Sequence, residues 1–402
     1  MYYFLKSKLL LRLKNSNFEL PKKTLSTTQK VLSQQDFSEK IITWYNANKR
    51  DLPWRNTQNP YHIWLSEIIL QQTRVAQGQP YYERFVEKYP TLQDLANAPI
   101  DDVLRLWQGL GYYSRARNMH ETAKYIFEDL QNIFPLNYKA LLSLKGVGSY
   151  TAAAIASFAY NEPVAVLDGN VFRVLARVFG ESTDISSPTG AKVFSKLSNE
   201  MLDKTNASIH NQAIMEFGAL QCTPAKPNCM YCPLVDECVA YAQGKQNILP
   251  IKNKKIKVKE RFFDYFVFEF EGKIALKKRF DSDIWSGLYD FYLVETTLSP
   301  SLESRGVISP SLEGGVRGGF DENNYLEDAF LKDNLSYFSI KKPSKTYKHI
   351  LTHQKIKVRF FEMKIKEIND KIASMLVFYD LEEIKNLPKP ILIANYLEEY
   401  YF

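Results

Sequence analysis

Cysteine is nearly absent from this chain: of 402 residues only four are cysteines, and all four lie between positions 222 and 238. Long apolar runs are also missing, because the short stretch around Leu9 is interrupted by Arg12 and Lys14. Neither a membrane span nor a secretory signal is therefore expected. The sequence predicts a soluble protein whose thiols are not paired in disulfides.

Excess charge is confined to the N-terminus. The net charge is +7, but residues 1–35 alone contain seven Lys or Arg and one acid. A nucleic-acid function cannot be inferred from global charge when the remainder is nearly neutral. We predict that residues 1–36 form a basic, disordered extension, although a mitochondrial transit peptide would have the same composition.

The rest of the chain shows two patterns of apolar residues, one typical of helices and the other of strands. Residues 37–243 show apolar residues at helical spacing, as in YHIWLSEIILQQTRV (61–75), YTAAAIASFAY (150–160) and NVFRVLARVFG (170–180). Residues 261–402 instead alternate aromatic or β-branched residues with charges, which predicts strands, and close with a helix at ILIANYLEEY. The fold class predicted is multidomain, with an all-α domain followed by an α+β domain.

Two segments lie outside these domains. Residues 244–260 read as a basic linker, since IKNKKIKVKER (251–261) has six bases and one acid. The near-repeat of SPSLESRGV in SPSLEGGVRGG marks residues 298–325 as a low-complexity insertion in a surface loop.

The four cysteines predict a metal centre. Cys222, Cys229, Cys232 and Cys238 have the spacing C-x6-C-x2-C-x5-C. Both zinc and an iron–sulfur cluster accept four thiolates, so the spacing alone leaves the two open.

A glycine-containing turn runs into the alanine-rich helix. In LKGVGSYTAAAIAS the backbone around Gly146 and Gly148 can approach a ligand closely, and a helix N-terminus favours an anion. A nucleotide P-loop is the rival interpretation, but the turn lacks the Gly-Lys-Ser/Thr ending.

Several stretches together resemble one enzyme family. The cysteine motif, LPWR, WLSEIILQQT, GLGYYSRARN, LKGVGSYTAAAI, LDGNV and NQAIMEFGALQCTP look like those of MutY-type adenine DNA glycosylases, which are helix-hairpin-helix DNA glycosylases. The resemblance covers residue 37 to the end, most densely in the helical part. It implies hydrolytic removal of adenine mispaired with 8-oxoguanine or guanine in double-stranded DNA. It also implies a 4Fe–4S cluster on the four cysteines, DNA phosphate at Gly146–Ser149, and a Nudix-like C-terminal domain, here without the REx2E catalytic box.

Breaking an adenine–sugar bond needs a proton donor and a negative charge beside the cationic sugar. Glu67 lies among apolar residues, which would keep it protonated. By resemblance it is the acid, and Asp168 stabilises the sugar with help from Tyr150 and Asn170. Asp168 also fits a plain helix N-cap. Lyase relatives such as endonuclease III carry lysine where this chain has Tyr150, and a phenol forms no Schiff base.

The resemblance assigns the remaining contacts with DNA. Trp54, Arg55, Leu70 and Gln212 would line the pocket for the flipped adenine. Gln72 and Tyr112 would fill the gap left in the duplex. The segment Leu351-Thr352-His353 stands where the family has Phe-Ser-His and would read 8-oxoguanine, with leucine replacing the aromatic residue.

Two alternatives remain. One is an endonuclease III-like glycosylase/lyase of another specificity, and the other is a non-catalytic, zinc-containing DNA-binding protein. The resemblance further implies a monomer located in the cytoplasm of a bacterium, or in mitochondria or the nucleus of a eukaryote.

Overall fold

A computed structural model describes residues 32–253, 257–280, 283–296, 328–343 and 345–402. The insertion predicted at 298–325 and most of the predicted N-terminal extension lie outside these residues. Helix α1 begins at Gln34, three residues before the predicted start of the helical domain, because the Ser33 side chain accepts a hydrogen bond from the Asp36 N–H and caps it.

The N-terminal half is helical throughout. Its helices are α1 (Gln34–Asn48), α2 (Pro60–Leu70), α3 (Val75–Lys88), α4 (Leu92–Asn97), α5 (Ile100–Leu106), α6 (Ser114–Glu128), α7 (Tyr138–Leu141), α8 (Ser149–Tyr160), α9 (Gly169–Phe179), α10 (Pro188–Met201), α11 (Ala207–Leu220) and α12 (Val239–Ala242).

The continuous helix predicted over residues 61–75 is wrong. Helix α2 ends at Leu70, Gln72 has a positive φ of 56°, and α3 starts at Val75. The intervening sequence contains neither glycine nor proline, so its local composition gives no signal for this break.

The alanine-rich helix α8 lies between two hydrophobic cores. Ala152, Ile155 and Ala156 pack into the core that contains α2, whereas Ala153 and Ala154 pack into the core that contains α1, α9 and α11. Small side chains allow helices to approach α8 from both sides, which explains why its central residues, Thr151–Ser157, are all buried.

A glycine brings α11 against the start of α9. A Cβ atom on Gly218 would lie 2.7 Å from the Asn170 Cβ atom and 2.9 Å from its carbonyl oxygen. Only glycine permits this contact, so the packing of α11 sets the position of the segment that carries Asp168 and Asn170.

The C-terminal half contains a mixed sheet. Its elements are β1 (Lys259–Phe270), β2 (Lys273–Lys278), β3 (Tyr289–Asp290), β4 (Tyr292–Thr296), α13 (Ala329–Asn334), β5 (Phe338–Pro343), β6 (Tyr347–Ile350), β7 (Gln354–Ile365), α14 (Asp370–Met375), β8 (Val377–Tyr379), α15 (Leu381–Asn386) and α16 (Ile391–Tyr400).

Strands β1 and β7 form the centre of this sheet and run parallel, from the pair Lys259–Gln354 to the pair Glu269–Lys364. The other pairings are antiparallel, and the order through the sheet is β3-β2-β1-β7-β5. Strand β1 begins two residues inside the predicted linker.

The sheet and the helices share one core. Inward residues of β1 and β7 belong to the same hydrophobic cluster as α2, α3 and α6. At the boundary, the Lys278 ammonium lies 2.6 Å from the Asp101 carboxylate, and the Arg117 guanidinium donates to the Ser286 carbonyl at 2.6 Å. These contacts bring loops of both halves to a common groove. Across the part of the chain that the structure describes, no helix is both long and apolar enough to cross a membrane.

Candidate active site

Helix α2 places a glutamate inside the protein. Glu67 is only 6% exposed, and its flanking residues Leu65 and Ile68 are buried in the core. Burial raises its pKa to about 7, a hydrogen bond from Tyr150 acts in the lowering direction, and the charge of Asp168 raises it. A carboxyl group with this pKa is partly protonated at neutral pH and can serve as a general acid.

Tyr150 connects this acid to helix α8. It is the second residue of α8, and its hydroxyl group donates to the Met215 Sδ atom at 3.9 Å. The same hydroxyl group also lies close enough to the Glu67 carboxyl group to act on its pKa as a hydrogen-bond donor. Burial, followed by the neighbouring charges of Glu67 and Asp168, raises the tyrosine pKa well above its ordinary value. The phenol therefore stays protonated and acts as a hydrogen-bond donor.

Asp168 has the N-cap position that its sequence context predicted. It is the N-cap of α9, where its Oδ1 atom accepts the N–H groups of Asn170 at 2.9 Å and Val171 at 2.8 Å. The Asn170 amide donates to its Oδ2 atom at 2.7 Å. Burial raises the Asp168 pKa, whereas the N–H donors lower it. Three hydrogen-bond donors therefore hold the Asp168 carboxylate in place. Its charge raises the pKa of Glu67, so the two carboxyl groups lie near each other.

An arginine links this carboxylate to the cysteine segment. Arg173 donates to the Asn170 Oδ1 atom at 2.8 Å, to the Gly218 carbonyl at 2.6 Å and to the Cys222 carbonyl at 2.7 Å. Asn170 is thus held from both sides, which fixes the orientation in which its amide meets Asp168.

A small cavity opens beside Glu67. It is lined by Trp54, Arg55, Thr57, Ile63, Ser66, Glu67, Phe158, Gln212 and Met215. Trp54, Arg55 and Gln212, which were predicted to hold the base, lie here together. Leu70 does not line this cavity. It is the last residue of α2, and its side chain packs towards Gly78 of α3.

Glu216 was not among the predicted site residues, yet it forms an ion pair with Arg55, which lines this cavity. Its carboxylate accepts hydrogen bonds from Arg50 at 2.6 Å and from Arg55 at 2.7 Å. Burial alone would raise the pKa of Glu216, but these hydrogen bonds hold it at about 2. The Arg55 guanidinium is therefore paired with Glu216, and the Arg55 side chain lines the cavity. No local sequence signal distinguishes this glutamate from a solvent-exposed one on a helix.

The glycine turn before α8 has the geometry of an anion site. Gly146 has a φ of 77°, and a Cβ atom there would lie 3.0 Å from the Asn118 side chain. At Gly148 a Cβ atom would meet nothing within 4 Å, so this backbone faces open space. No side chain caps α8, which leaves its first N–H groups directed at any ligand that approaches.

The groove between the two halves brings together residues that were predicted separately. We call it the interdomain groove; the residues that line it include Gly109–Ser114, Asp283–Trp285 and His349–Gln354. The Tyr112 hydroxyl group of the helical half hydrogen-bonds the Thr352 hydroxyl group of the C-terminal half across it. Two side chains 240 positions apart are thus direct neighbours.

Thr352 and His353 occupy an exposed two-residue turn between β6 and β7, in which the Leu351 N–H donates to the Gln354 carbonyl at 2.8 Å. The Leu351 side chain packs against the core, while the preceding Ile350 is 73% exposed. Leu351 lines the interdomain groove as a half-buried side chain, and the exposed apolar residue beside it is Ile350, which was not among the predicted site residues.

The four cysteines line one cavity next to α9. Cys222, Cys229, Cys232 and Cys238 all contribute to its wall, and the Arg177 guanidinium lies 3.4 Å from the Cys222 Sγ atom. Among the described residues, no group of three or more Cys, His, Asp or Glu side chains forms a site for a single metal ion.

Comparisons with known proteins agree with this fold. The HhH-GPD superfamily, described as base excision DNA repair proteins, matches residues 65–200. The adenine DNA glycosylase of Buchnera aphidicola subsp. Schizaphis graminum is 37% identical over 266 residues, which is 65% of this chain and 76% of that protein. The human adenine DNA glycosylase is 42% identical over 222 residues, covering 53% of this chain and 41% of the relative.

Among solved structures, that of a thermostable thymine-DNA glycosylase superposes with a TM-score of 0.49 at 31% identity, covering 52% of this chain and 97% of the other. The family-model match in the helical half and the similarity to curated relatives identify a base excision repair protein of the HhH-GPD superfamily. Within it, the chain belongs to the adenine DNA glycosylase family.

Glu67→Gln should abolish base release and leave binding to duplex DNA nearly intact. The amide preserves the shape of the side chain but cannot supply the proton, so single-turnover excision should fall at least about a hundredfold. Above pH 7 the variant should melt no lower than the wild type, because the native pKa is raised and ionised Glu67 destabilises the fold there.

Glu83 provides the matched control for this substitution. It is an exposed glutamate on α3 that hydrogen-bonds Gln79, and Glu83→Gln should excise at the wild-type rate. A Glu67→Gln protein that keeps more than a few per cent of the wild-type rate would contradict the acid role.

The excision rate should depend on pH through the same carboxyl group. Because burial holds the Glu67 pKa at about 7 and only the protonated form donates, the single-turnover rate should fall as the pH rises above that value. Each further pH unit removes about nine-tenths of the protonated form. A rate that stays constant from pH 6 to pH 9, measured with saturating enzyme, would show that another group supplies the proton.

Proposed function

We propose that this protein removes adenine mispaired with 8-oxoguanine or guanine from double-stranded DNA by hydrolysis, leaving an abasic site. The observation that carries the proposal is the buried Glu67 carboxyl group, which has Tyr150 and Asp168 as neighbours and lines a cavity together with Trp54. Relatives with similar sequences are adenine DNA glycosylases.

The chemistry follows from the two carboxyl groups and their different environments. Protonated Glu67 gives its proton to a ring nitrogen of the flipped adenine, so that the base leaves as a neutral molecule when the N-glycosidic bond breaks. Ionised Asp168, held by Asn170, stabilises the positive charge that develops on the sugar. Glu67, now ionised, accepts a proton from the water molecule that adds to the anomeric carbon.

The reaction stops at the abasic site because Tyr150 occupies the position from which lyase relatives attack the sugar. A phenol cannot form a Schiff base, and here its hydroxyl group is engaged with Glu67. This geometry disfavours the alternative of a glycosylase/lyase. The same pair of carboxyl groups disfavours a DNA-binding protein without catalytic activity.

The DNA backbone would bind at the turn before α8. The exposed amides around Gly148 and Ser149 and the uncapped start of the helix suit a phosphate group. The flipped adenine would then enter the cavity beside Glu67 while Gln72 and Tyr112 occupy the space that it vacates. A single chain carries all these groups, and we propose that it acts as a monomer.

The mixed sheet would act as a Nudix-like domain that reads the base opposite the adenine. Thr352 and His353 support this role because their exposed turn faces Tyr112 across the interdomain groove. A hydroxyl oxygen can accept the ring N–H that 8-oxoguanine has and guanine lacks. The turn has the local geometry of an ordinary hairpin. Its proposed role therefore depends on its position in the interdomain groove, next to Tyr112.

The four cysteines would hold a 4Fe–4S cluster. Their thiols line one cavity. Four thiolates suit both a zinc ion and a cluster, and the resemblance of the whole cysteine segment to that of adenine DNA glycosylases supports the cluster. The four thiolates would hold the cluster, which would stabilise the loop from Cys222 to Cys238. Arg173 and Arg177 attach this loop to α9.

The proposed activity is tested on duplexes that carry adenine opposite 8-oxoguanine, adenine opposite guanine, or thymine opposite guanine. We expect strand nicks only after alkali, on the two adenine duplexes, with no covalent complex after borohydride treatment. Cleavage of the thymine duplex, or a borohydride-trapped adduct in high yield, would favour the glycosylase/lyase alternative.

The proposed cluster predicts a brown protein with broad visible absorption and about four irons per chain. Cys232→Ser should lose the colour and lower the melting temperature, whereas no such change is expected from Ser182→Ala, outside the cysteine segment. A colourless wild-type protein that contains one zinc would overturn the assignment.

The double substitution Thr352→Ala with His353→Ala should weaken binding to the 8-oxoguanine duplex and leave the guanine duplex nearly unchanged. A pair of well-placed polar contacts is worth about 1–3 kcal/mol, or roughly five- to a hundredfold in affinity. Thr352→Ser keeps the hydroxyl group and should retain the preference. Equal losses on both duplexes would mean that the turn contacts only the DNA backbone.

A further inference from the structure

Two exposed side chains of the helical half have a backbone conformation that is unfavourable for their residue type. Gln72 has a φ of 56° and Tyr112 a φ of 48°, both in the left-handed region. Residues other than glycine remain in this region only when their surroundings hold them there. Both side chains are the ones proposed to occupy the duplex where the adenine leaves.

One guanidinium group holds both turns. Arg115, the second residue of α6, donates through Nη1 to the Gln71 carbonyl at 2.5 Å and through Nη2 to the Gly111 carbonyl at 3.3 Å. These carbonyls belong to the residues directly before Gln72 and Tyr112. The arginine therefore fixes the peptide unit that leads into each left-handed residue.

Further contacts of the same side chain reinforce this arrangement. Nη1 also donates to the carbonyls of Ile68 and Ile69 at 2.9 Å, at the end of α2. These carbonyls lie at the C-terminus of a helix, where a positive charge is stabilising. The guanidinium lies 5.0 Å from the centre of the Trp107 ring, and the Trp107 indole N–H donates to the Gly111 carbonyl at 3.0 Å.

The position of Arg115 has no explanation within its own helix. A positive charge in the first turn of α6 opposes the helix dipole. The hydrogen bonds found for its guanidinium group end on carbonyl or hydroxyl oxygens of other segments, and none ends on a carboxylate. Burial lowers its pKa to about 10, which still leaves it charged at neutral pH.

We propose that Arg115 is a positioning residue that sets the spacing of Gln72 and Tyr112 before DNA binds, so that both side chains enter the duplex together when the adenine is extruded. This inference rests on the proposed function, because it assumes that these two side chains fill the vacated space. Holding two contacts in their final geometry removes the entropic cost of ordering them during base opening.

The test uses Arg115→Lys and Arg115→Met in the full-length protein. Base opening is followed by the fluorescence of 2-aminopurine placed at the target position opposite 8-oxoguanine. We expect opening to fall on the order of ten- to a hundredfold in both variants, because neither side chain has the planar fork that reaches two carbonyls. Binding to a duplex that already contains an abasic-site analogue should remain close to the wild-type value, since no base must be opened.

Arg84 provides the matched control. It is an exposed arginine that also donates to a backbone carbonyl, that of Pro80 at 3.2 Å, and stacks on Tyr81. Arg84→Lys should open the duplex as the wild type does. If Arg115→Met melts far below the wild type, the comparison is made with Arg115→Lys, which keeps the charge and most of the packing.

A double-mutant cycle separates positioning from a general structural role. In a protein that carries Gln72→Ala and Tyr112→Ala, the Arg115→Lys substitution should cause no further loss of base opening, because the side chains that it positions are gone. An equal loss in both backgrounds would overturn the inference. Normal base opening by the Gln72→Ala, Tyr112→Ala protein would instead overturn the assignment of these two side chains, and the inference with it.

Discussion

The burial of the Glu67 carboxyl group is the constraint on which the active site depends. Its pKa is raised to about 7 because α2 packs it against α8, and α8 can approach so closely because its buried face consists mostly of alanine. Tyr150 and Asp168 then determine how that carboxyl group behaves, the first by a hydrogen bond and the second by its charge. A looser contact between these helices would admit water and return the glutamate to its ordinary acidity.

Arginine side chains fix the backbone around this site. Arg115 binds carbonyls at the end of α2 and in the turn before α6, and Arg173 connects Asn170 with the carbonyls of Gly218 and Cys222. Arg55, together with Arg50, neutralises the buried Glu216. A guanidinium group suits these positions because its donors lie in a rigid plane and can hold several acceptors in fixed directions.

The interdomain groove is lined by residues of both halves of the chain. The sequence around Tyr112 and around Thr352 does not indicate that the two residues are neighbours. Their hydroxyl groups nevertheless form a hydrogen bond, because the shared core brings the two halves together. Under the proposed function, Tyr112 from one half and the turn at Thr352 from the other would contact the same base pair. Recognition of the opposite base and extrusion of the adenine would in this way be coupled through one contact surface.

The two halves, one helical and one rich in strands, and the helices α8, α9 and α16 could be predicted from the sequence, because periodicity and capping are local properties. The sequence did not predict the end of α2 at Leu70, since the carbonyls there are bound by Arg115 from another helix. It also missed the neutralisation of Arg55 by Glu216 and the exposure of Ile350 beside Leu351. Each of these depends on which distant atoms come within hydrogen-bonding or van der Waals distance, and only the tertiary fold decides that.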